Sequence, residues 1–462
     1  MIGSIINSVM RTFKQNNDSA KNITTLNPQI SGEFSAYLKD FLSQIGSKVF
    51  VSFLLQFDEN ENLLVRNGKT FYFKKPSTKR YLTPFGEILL PRRMFQAADG
   101  ETYFPLDEKW GMSKQFATID VQEIVALAIA NSTQKESAFL LQKACLFNIS
   151  EKGIRSIVEN IGRLLERNEV EILDSIHCEE EEEKGNADVV AFSLDGATIQ
   201  VRDPGKEEEE KAFLAPNEQK KRYCRKVAMV SSITKYKVVD EEERKVKEKL
   251  STSYQAKMPS ECWEEMKDIF EREVKSALKQ EPDAVPVIVM DGQRSLWSYV
   301  DSRPIFKKCR RVVDFYHACE HLYSACLILF KDPVEARIQY LLLRSMLKKD
   351  KEGAKKVLEF FRKWKKKLKL KGKKAKALEA EETYFENNLK RMKYQRFLKK
   401  GWPIGSGPVE AACKTVVKTR MCRSGMKWEH KGGQNILTLR AIVKSERWQV
   451  FWNSCSTLLA VA

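Results

Sequence analysis

One uninterrupted apolar run constrains the fold of this chain more than any other segment. The run is AVPVIVMDG at residues 284–292, and it closes on Asp291 and Gly292. A strand that is apolar on both faces is typical of the centre of a sheet with helices packed on both sides. The segment therefore predicts a buried central strand in an α/β domain.

The segments before and after this strand predict its neighbours in the sheet. ADVVAFSLDGATIQVRD at 187–203 has the pattern of a hairpin, and its Asp195-Gly196 pair is typical of a two-residue turn. The other predicted elements are a third strand at 225–239, helices within 240–279 and near 293–302, and a short strand at 310–315. The order β-β-β-α-β-α-β is that of a ribonuclease-H-like core.

Composition and periodicity divide the whole chain into six parts. They are a polar segment at 1–31, a small β-rich module at 32–110, a helical, helix-turn-helix-like region at 111–170, the first part of the core at 185–317, a basic helical insertion at 318–400, and C-terminal helices completing the core at 401–462. In the second part, a helix over 32–46 is expected to stop at its glycine, and KVFVSFLLQF at 48–57 to form a strand. In the last part, a single helix is expected over 432–452.

The charge balance favours a polyanionic partner, nucleic acid before a membrane surface. The chain has 80 Lys and Arg against 62 Asp and Glu, a formal charge of +18. The densest basic run, FRKWKKKLKLKGKKAK at 361–376, predicts that Lys365, Lys366 and Lys367 track a phosphate backbone, although a solvated helix face has the same pattern. In the helix-turn-helix-like region, Lys152 and Arg155 would face DNA, but an ordinary three-helix packing unit fits equally well.

Cysteine usage and hydropathy point to the cytoplasm. The ten cysteines include no C-x-x-C pair, which favours reduced thiols over a disulfide framework or a zinc ribbon. No apolar run reaches the roughly 18 residues of a membrane span, and the N-terminus lacks a signal-peptide pattern. We therefore expect a cytoplasmic protein without a membrane partner.

Three carboxylates fall at the ends of predicted core elements. Asp195 follows the first strand, Asp291 follows the central strand, and Glu410 lies in the first turn of the helix that GSGP opens. Hard Mg²⁺ or Mn²⁺ ions prefer carboxylate oxygens, and two ions about 3.5–4 Å apart clamp a phosphoryl group. Each residue also has a purely structural explanation, as a turn or as a helix N-terminal acid.

A second pattern, VVDFYHACEHL at 312–322, contains H-x-x-E-H. Its residues His317, Glu320 and His321 have the spacing of an inverted zinc-peptidase site. A zinc protease also needs a third protein ligand, and no related motif accompanies the remaining two histidines. Zinc proteolysis is therefore a remote alternative.

Four segments together resemble the ISKra-type insertion-sequence transposases, bacterial relatives of the Mutator-like DDE transposases. They are SLDGATIQVRDPG, VIVMDGQRSLWSYV, VVDFYHACEHL and GSGPVEAACKTVVKTRMCRSGMKWE, and the similarity spans about 85 to 452. The resemblance implies that Asp195, Asp291 and Glu410 form the acidic triad and hold two Mg²⁺ or Mn²⁺ ions. It further implies that Asp314 and His317 form the family's auxiliary Asp-x-x-His element. The all-helical insertion is also typical of this superfamily.

The activity that the resemblance implies is metal-dependent DNA cleavage at element ends, followed by strand transfer into target DNA. The partners would be the terminal inverted repeats and target DNA, with a homo-oligomer in the synaptic complex and a nucleoid-associated location. Lys414 and Arg420, on the Glu410 helix, would contact phosphate. The N-terminal module lacks the cysteine pairs of many relatives, so it is expected to fold without zinc. A catalytically inactive or repurposed DNA-binding protein is the alternative.

Overall fold

The chain forms two compact units in the computed structural model. One unit comprises residues 1–164 and 452–462, and the other comprises residues 165–451. The structure describes residues 2–16, 28–182, 185–202, 223–241, 244–259 and 263–461. Within these ranges, no helix is both long and apolar enough to cross a membrane.

Helices and strands alternate along both units, which makes the fold a mixed α/β one. The strands are β1 (Leu63–Arg66), β2 (Lys69–Thr83), β3 (Gly86–Ala97), β4 (Thr102–Tyr103), β5 (Val189–Arg202), β6 (Tyr223–Glu241), β7 (Arg244–Lys257), β8 (Val285–Met290) and β9 (Arg310–Val313). The helices up to the insertion are α1 (Ile2–Asn16), α2 (Pro28–Leu55), α3 (Pro105–Lys109), α4 (Ile119–Asn131), α5 (Gln134–Ala144), α6 (Glu151–Glu182), α7 (Glu264–Gln280) and α8 (Arg294–Ser302). The later helices are α9 (Phe315–Leu329), α10 (Pro333–Lys349), α11 (Gly353–Lys367), α12 (Gly372–Asn388), α13 (Tyr394–Lys399), α14 (Gly407–Ala412), α15 (Thr419–Met421), α16 (His430–Lys444) and α17 (Trp448–Val461).

The first unit contains an antiparallel meander in the order β1-β2-β3-β4. Asn67 and Gly68 take positive φ between β1 and β2, as a tight hairpin turn requires. The predicted strand at 48–57 is wrong, because α2 runs without interruption from Pro28 to Leu55. Gly46 lies inside this helix, where an added Cβ would approach Phe85 to 2.4 Å, so the glycine serves close packing and does not end the helix.

Three further helices, α4, α5 and α6, confirm the helical pattern predicted after residue 118. Thr133 and Glu136 form a reciprocal capping box at the start of α5. Ser150 caps α6, as its hydroxyl accepts a hydrogen bond from Gly153 N at 3.1 Å. Asn168 interrupts the helical geometry near the predicted end, but α6 continues to Glu182.

The second unit is built on a five-stranded sheet in the order β7-β6-β5-β8-β9. β5, β6 and β7 are antiparallel, whereas β8 and β9 are parallel to β5. The prediction of a buried strand is confirmed, since β8 lies between β5 and β9 and Val287 to Met290 are at most 1% exposed, although the middle strand of the five is β5. Helices α7, α8 and α9 pack their apolar residues, such as Phe270, Val300 and Leu322, into the same core.

The predicted order of core elements is found, but two of its segments were interpreted wrongly. β5 passes straight through Asp195 and Gly196, so there is no hairpin turn there. Gly196 is needed because Val227 on β6 lies so close that an added Cβ would meet its Cγ1 at 2.4 Å. The third strand is β7, within the stretch 240–279 that was predicted to be helical.

β7 is the outer strand of the sheet, and side chains from α16 and the residue after it bond to the backbone of β7 and of Met258, the residue that follows it. Ser445 Oγ accepts from Tyr254 N at 2.8 Å, and Gln434 Oε1 accepts from Met258 N at 2.8 Å. Gln434 also donates through Nε2 to Ala256 O at 3.2 Å. The outer edge is therefore occupied at these positions.

The insertion between β9 and α14 is all-helical, as predicted, and consists of α9 to α13 together with a short 3₁₀ turn. The helix predicted over 432–452 is divided into α16 and α17. The chain changes direction between them at Glu446, which takes a left-handed conformation with φ 60°.

Candidate active site at the edge of the sheet

Three aspartates lie at the same level of the parallel strands. Phe192 of β5 pairs with Ile288 of β8, and continuing this register brings Asp195 level with Asp291. Met290 of β8 pairs with Val313 of β9, so Asp314 comes next in the same row. β8 and β9 end just before Asp291 and Asp314, whereas β5 continues past Asp195 to Arg202, so this register brings together carboxylates that are far apart in sequence.

The surroundings of Asp291 are those of a partly buried carboxylate among other charges. Burial raises the pKa of its carboxyl above the ordinary value. The N–H of Gln293, which donates to Oδ1 at 2.9 Å, and the nearby His317 act to lower this pKa. The carboxylates of Asp195 and Asp314 act to raise it, as expected of acidic groups that share a site.

Asp314 is fully buried and holds the start of α9 to the loop before α14. Its Oδ1 accepts from His317 N at 2.8 Å, which caps α9. Its Oδ2 accepts from both the backbone N and the hydroxyl of Ser406, the latter at 2.7 Å. The predicted auxiliary aspartate is therefore an anchor between two elements of the site.

Glu410 lies on α14, in the first turn, with its side chain exposed. Its Oε1 is 3.0 Å from the hydroxyl of Ser406, the residue that also holds Asp314. A chain of hydrogen bonds thus links the glutamate of the predicted triad to the row of aspartates. The loop that provides this link contains the GSGP motif.

Cys413 connects the same helix to Asp195. Its thiol donates to Asp195 Oδ2 at 3.4 Å, and its residue is 4% exposed. Burial raises the pKa of the thiol, and Asp195 and Glu410 raise it further, so the group stays a protonated donor. A π-helical turn at Cys413–Lys418 follows Glu410; such turns are frequent at functional sites.

The two histidines of H-x-x-E-H have different surroundings. His317 is partly exposed, with Nδ1 3.4 Å from Glu320 Oε2. His321 Nδ1 is 2.6 Å from Glu381 Oε2, and its ring stacks on Tyr384 with centroids 3.6 Å apart. The second histidine therefore joins α9 to α12, which accounts for it without zinc.

The predicted DNA-binding residues differ in their accessibility. Lys152, Arg155, Lys366, Lys367 and Lys414 are exposed, and Arg155 is 3.5 Å from Gln134 Oε1. Their phosphate contacts stay a prediction.

Two of the predicted basic residues are engaged within the protein. Lys365 forms ion pairs with Glu382 at 3.0 Å and Glu379 at 3.4 Å, so its charge serves the contact between α11 and α12. Arg420 is 3% exposed and lies over the Trp428 ring at 5.0 Å. The predicted phosphate contact of Arg420 is at odds with this burial.

The predicted triad has donor chemistry that fits Mg²⁺ or Mn²⁺, since Asp195, Asp291 and Glu410 offer carboxylate oxygens. Within the described ranges, however, no three histidine, cysteine, aspartate or glutamate side chains are arranged to hold an ion. Mg²⁺ is commonly bound through one or two carboxylates, with substrate phosphates and water completing its shell. The residue types of Asp195, Asp291 and Glu410 therefore suit such ions, and their binding of Mg²⁺ or Mn²⁺ stays a prediction.

Sequence reasoning missed three residues of this site, namely Ser406, Cys413 and Tyr384. Ser406 and Cys413 lie within GSGPVEAAC, the most specific block, so their closeness to Glu410 was the available signal. Tyr384 had no signal, because its position beside Asp291 depends on how the helical insertion folds back.

The sequence matches one protein-family model over most of its length. The model of a family described as "Uncharacterised protein family (UPF0236)" matches residues 30–450. No curated protein matches the sequence.

Proposed function

Because the chain belongs to the uncharacterised protein family UPF0236, which is associated with transposase-like insertion-sequence proteins, we propose that it is a DNA transposase of the ISKra type. The proposed activity is metal-dependent phosphodiester cleavage at the ends of a mobile element and strand transfer into target DNA. The proposed partners are the element's terminal inverted repeats and target DNA, held by a homo-oligomer.

The observation that carries the proposal is the row of carboxylates on a sheet of matching order. Asp195, Asp291 and Asp314 are level across β5, β8 and β9, and hydrogen bonds connect Glu410 to this row. The order β7-β6-β5-β8-β9, with three antiparallel and then two parallel strands, supports a ribonuclease-H-like core. An all-helical insertion between the second aspartate and the glutamate supports the same assignment.

The side chains of the site have separate tasks in this proposal. When bound, divalent ions would polarise the scissile phosphate and counter the charge on its attacking and leaving oxygens. Asp195 and Asp291 would hold these ions, and Glu410 would complete the second position. The Cys413 thiol orients Asp195, and the Ser406 hydroxyl orients Glu410. Side chains fixed in this way need little reorganisation when DNA binds.

The substitution Asp291→Asn tests the proposal. DNA carrying the inverted repeats that flank the gene is incubated with protein and Mg²⁺ or Mn²⁺, and 3′-end formation is measured. Because the amide loses the charge that holds the ion, we expect cleavage to fall by about a thousandfold or more. Asp283→Asn, an exposed aspartate at the other end of the same strand, should keep full activity.

Two outcomes contradict the proposal. Unchanged cleavage by Asp291→Asn would show that the carboxylate row does not carry the reaction. Salt-dependent DNA retention without cleavage under either metal would instead support a DNA-binding protein with an inactive core.

A further inference from the structure

An aromatic contact joins the helical insertion to the strand end that carries Asp291. Tyr384 on α12 stacks on the His321 ring, with the ring planes 20° apart. Glu381, one turn earlier on α12, is 2.6 Å from His321 Nδ1 through its Oε2. The ring stacking and the His321–Glu381 contact together fix the position of Tyr384 against α9.

The other side of Tyr384 presses against Gly292. A Cβ added at Gly292 would lie 2.1 Å from Tyr384 Cε2 and 2.9 Å from Cζ, which are impossible distances for a real side chain. Only glycine fits at this position, and it directly follows Asp291. The phenol end of Tyr384 is therefore beside the backbone that carries the Asp291 carboxylate.

The Tyr384 hydroxyl is buried, and among the described residues it has no hydrogen-bond partner. Leaving a buried donor without an acceptor costs free energy, so such a group calls for an explanation. Burial, followed by the carboxylates of Asp291 and Asp314, raises the pKa of this phenol, which keeps it protonated and able to donate.

The hydrogen bonds that Asp291 and Asp314 already accept indicate which of them can accept from the Tyr384 hydroxyl. Both oxygens of Asp314 already accept, one from His317 N and the other from Ser406. Asp291 accepts from Gln293 N through Oδ1. We propose that Tyr384 is a positioning residue, whose hydroxyl donates to Asp291 and fixes its carboxylate when the site is occupied.

The proposal rests on the proposed function and extends it. The helical insertion would then help to position a catalytic carboxylate, in addition to any contact with DNA, because α12 would fix the side chain of Asp291 after β8. Movement of α9 against α12, through the His321–Glu381 pair, would change the same position.

Tyr384→Phe tests the proposal, since it removes the hydroxyl and keeps the ring. Three quantities are measured: the midpoint of thermal unfolding, the apparent Kd for Mn²⁺ from the free-ion signal in electron paramagnetic resonance, and single-turnover cleavage at saturating DNA. Because the removed group has no partner in the resting site, we expect no loss of thermal stability. We expect Mn²⁺ affinity to fall several-fold and cleavage about tenfold or more, with DNA affinity unchanged.

Tyr323→Phe is the matched control, because Tyr323 lies on α9 but packs on Tyr340, away from α12. Wild type and Asp291→Asn are measured in parallel. Tyr384→Phe with wild-type Mn²⁺ affinity and cleavage would overturn the positioning role, while the contrast between wild type and Asp291→Asn would still stand. If wild type binds Mn²⁺ through Asp291 but never cuts DNA, the proposed function is overturned. The positioning role of Tyr384 would then be tested only by whether Tyr384→Phe binds Mn²⁺ more weakly than wild type.

Discussion

A single hydroxyl proton at Ser406 lies between two carboxylates. Asp314 Oδ2 is 2.7 Å from this oxygen and Glu410 Oε1 is 3.0 Å from it, so the two carboxylates share one donor in a three-centre hydrogen bond. The serine therefore favours the fully buried Asp314, and the backbone N–H of the same residue reinforces that bond. Glu410 therefore receives the longer and weaker part of this hydrogen bond.

Ser406→Ala should show how much this hydroxyl stabilises the site. A buried carboxylate that loses one donor keeps its desolvation penalty, so we expect the free energy of unfolding to fall by about 1–3 kcal/mol. Urea unfolding followed by tryptophan fluorescence measures this loss. Ser302 is an exposed residue whose hydroxyl donates to Tyr299 O, so Ser302→Ala should change the free energy of unfolding by much less. Equal losses in both variants would argue against a special role.

A buried ion pair away from the site should make stability depend on pH. Arg447 binds Glu273 through two N–H groups, at 2.7 and 3.1 Å. Burial would raise the pKa of Glu273, but the Arg447 guanidinium outweighs it and holds the pKa well below its ordinary value. A lowered pKa gives stability that is complete above the unfolded value of about 4.3 and is lost as the pH falls below it.

Urea unfolding at a series of pH values checks this dependence. We expect the stability of wild type to decline below about pH 4.3, as Glu273 takes up a proton on unfolding. Glu273→Gln should be less stable at pH 7 by about 3 kcal/mol, because it leaves part of the Arg447 charge without its partner. It should also decline less steeply in acid. An equal decline in both proteins would assign the acid sensitivity to other carboxylates.

The residues of the candidate site could be predicted only in part. Asp195 and Asp291 each precede a glycine, which is also the pattern of a turn, and the turn interpretation failed at Asp195. What distinguishes Gly196 is the closeness of Val227 on the neighbouring strand, and sequence alone does not contain that distance. The same is true of Gly292 beside Tyr384.

At the scale of elements, the errors came from segments whose composition opposes their final state. β7 contains KVKEKL, whose charges suggest a solvated helix, yet charged residues are also what protects an outer strand. The stretch 48–57 is rich in Val and Phe, which favour strands, but it continues an established helix. Tertiary packing decided both cases, whereas the strongly apolar β8 was predicted correctly.

The exposed lysines of α11 provide a test of the proposed DNA surface. Lys366 and Lys367 are exposed, while Lys365 is paired with α12. The double substitution of Lys366 and Lys367 by Gln should weaken DNA binding and lower the slope of log affinity against log salt by up to about 1.8. Lys365→Gln should leave that slope unchanged and reduce stability instead. If wild type, the double variant and Lys365→Gln had identical slopes, DNA would not contact Lys366 or Lys367 on α11.

At the scale of the molecule, element order proved more predictable than element boundaries. The predicted order β-β-β-α-β-α-β matches the observed order. It does so although the hairpin predicted at 187–203 is one strand and the helical stretch predicted at 240–279 contains β7. Sheet order and register came from the structure alone, because periodicity gives the faces of a strand but not its neighbours. The formal charge of +18 predicts a polyanionic partner, but it does not say which surface would bind that partner.

The ribosome synthesises Gln434 and Ser445, whose side chains bond to the outer edge of β7, long after it synthesises the strand itself. Gln434 and Ser445 follow Met258 by about 180 positions, which is roughly 10 to 35 s of synthesis at typical rates of elongation. During that interval, the backbone donors at Tyr254 and Met258 lack these acceptors and can pair with another nascent chain. Chains cut short before α16 would therefore aggregate more readily than complete ones, even with every sheet strand present.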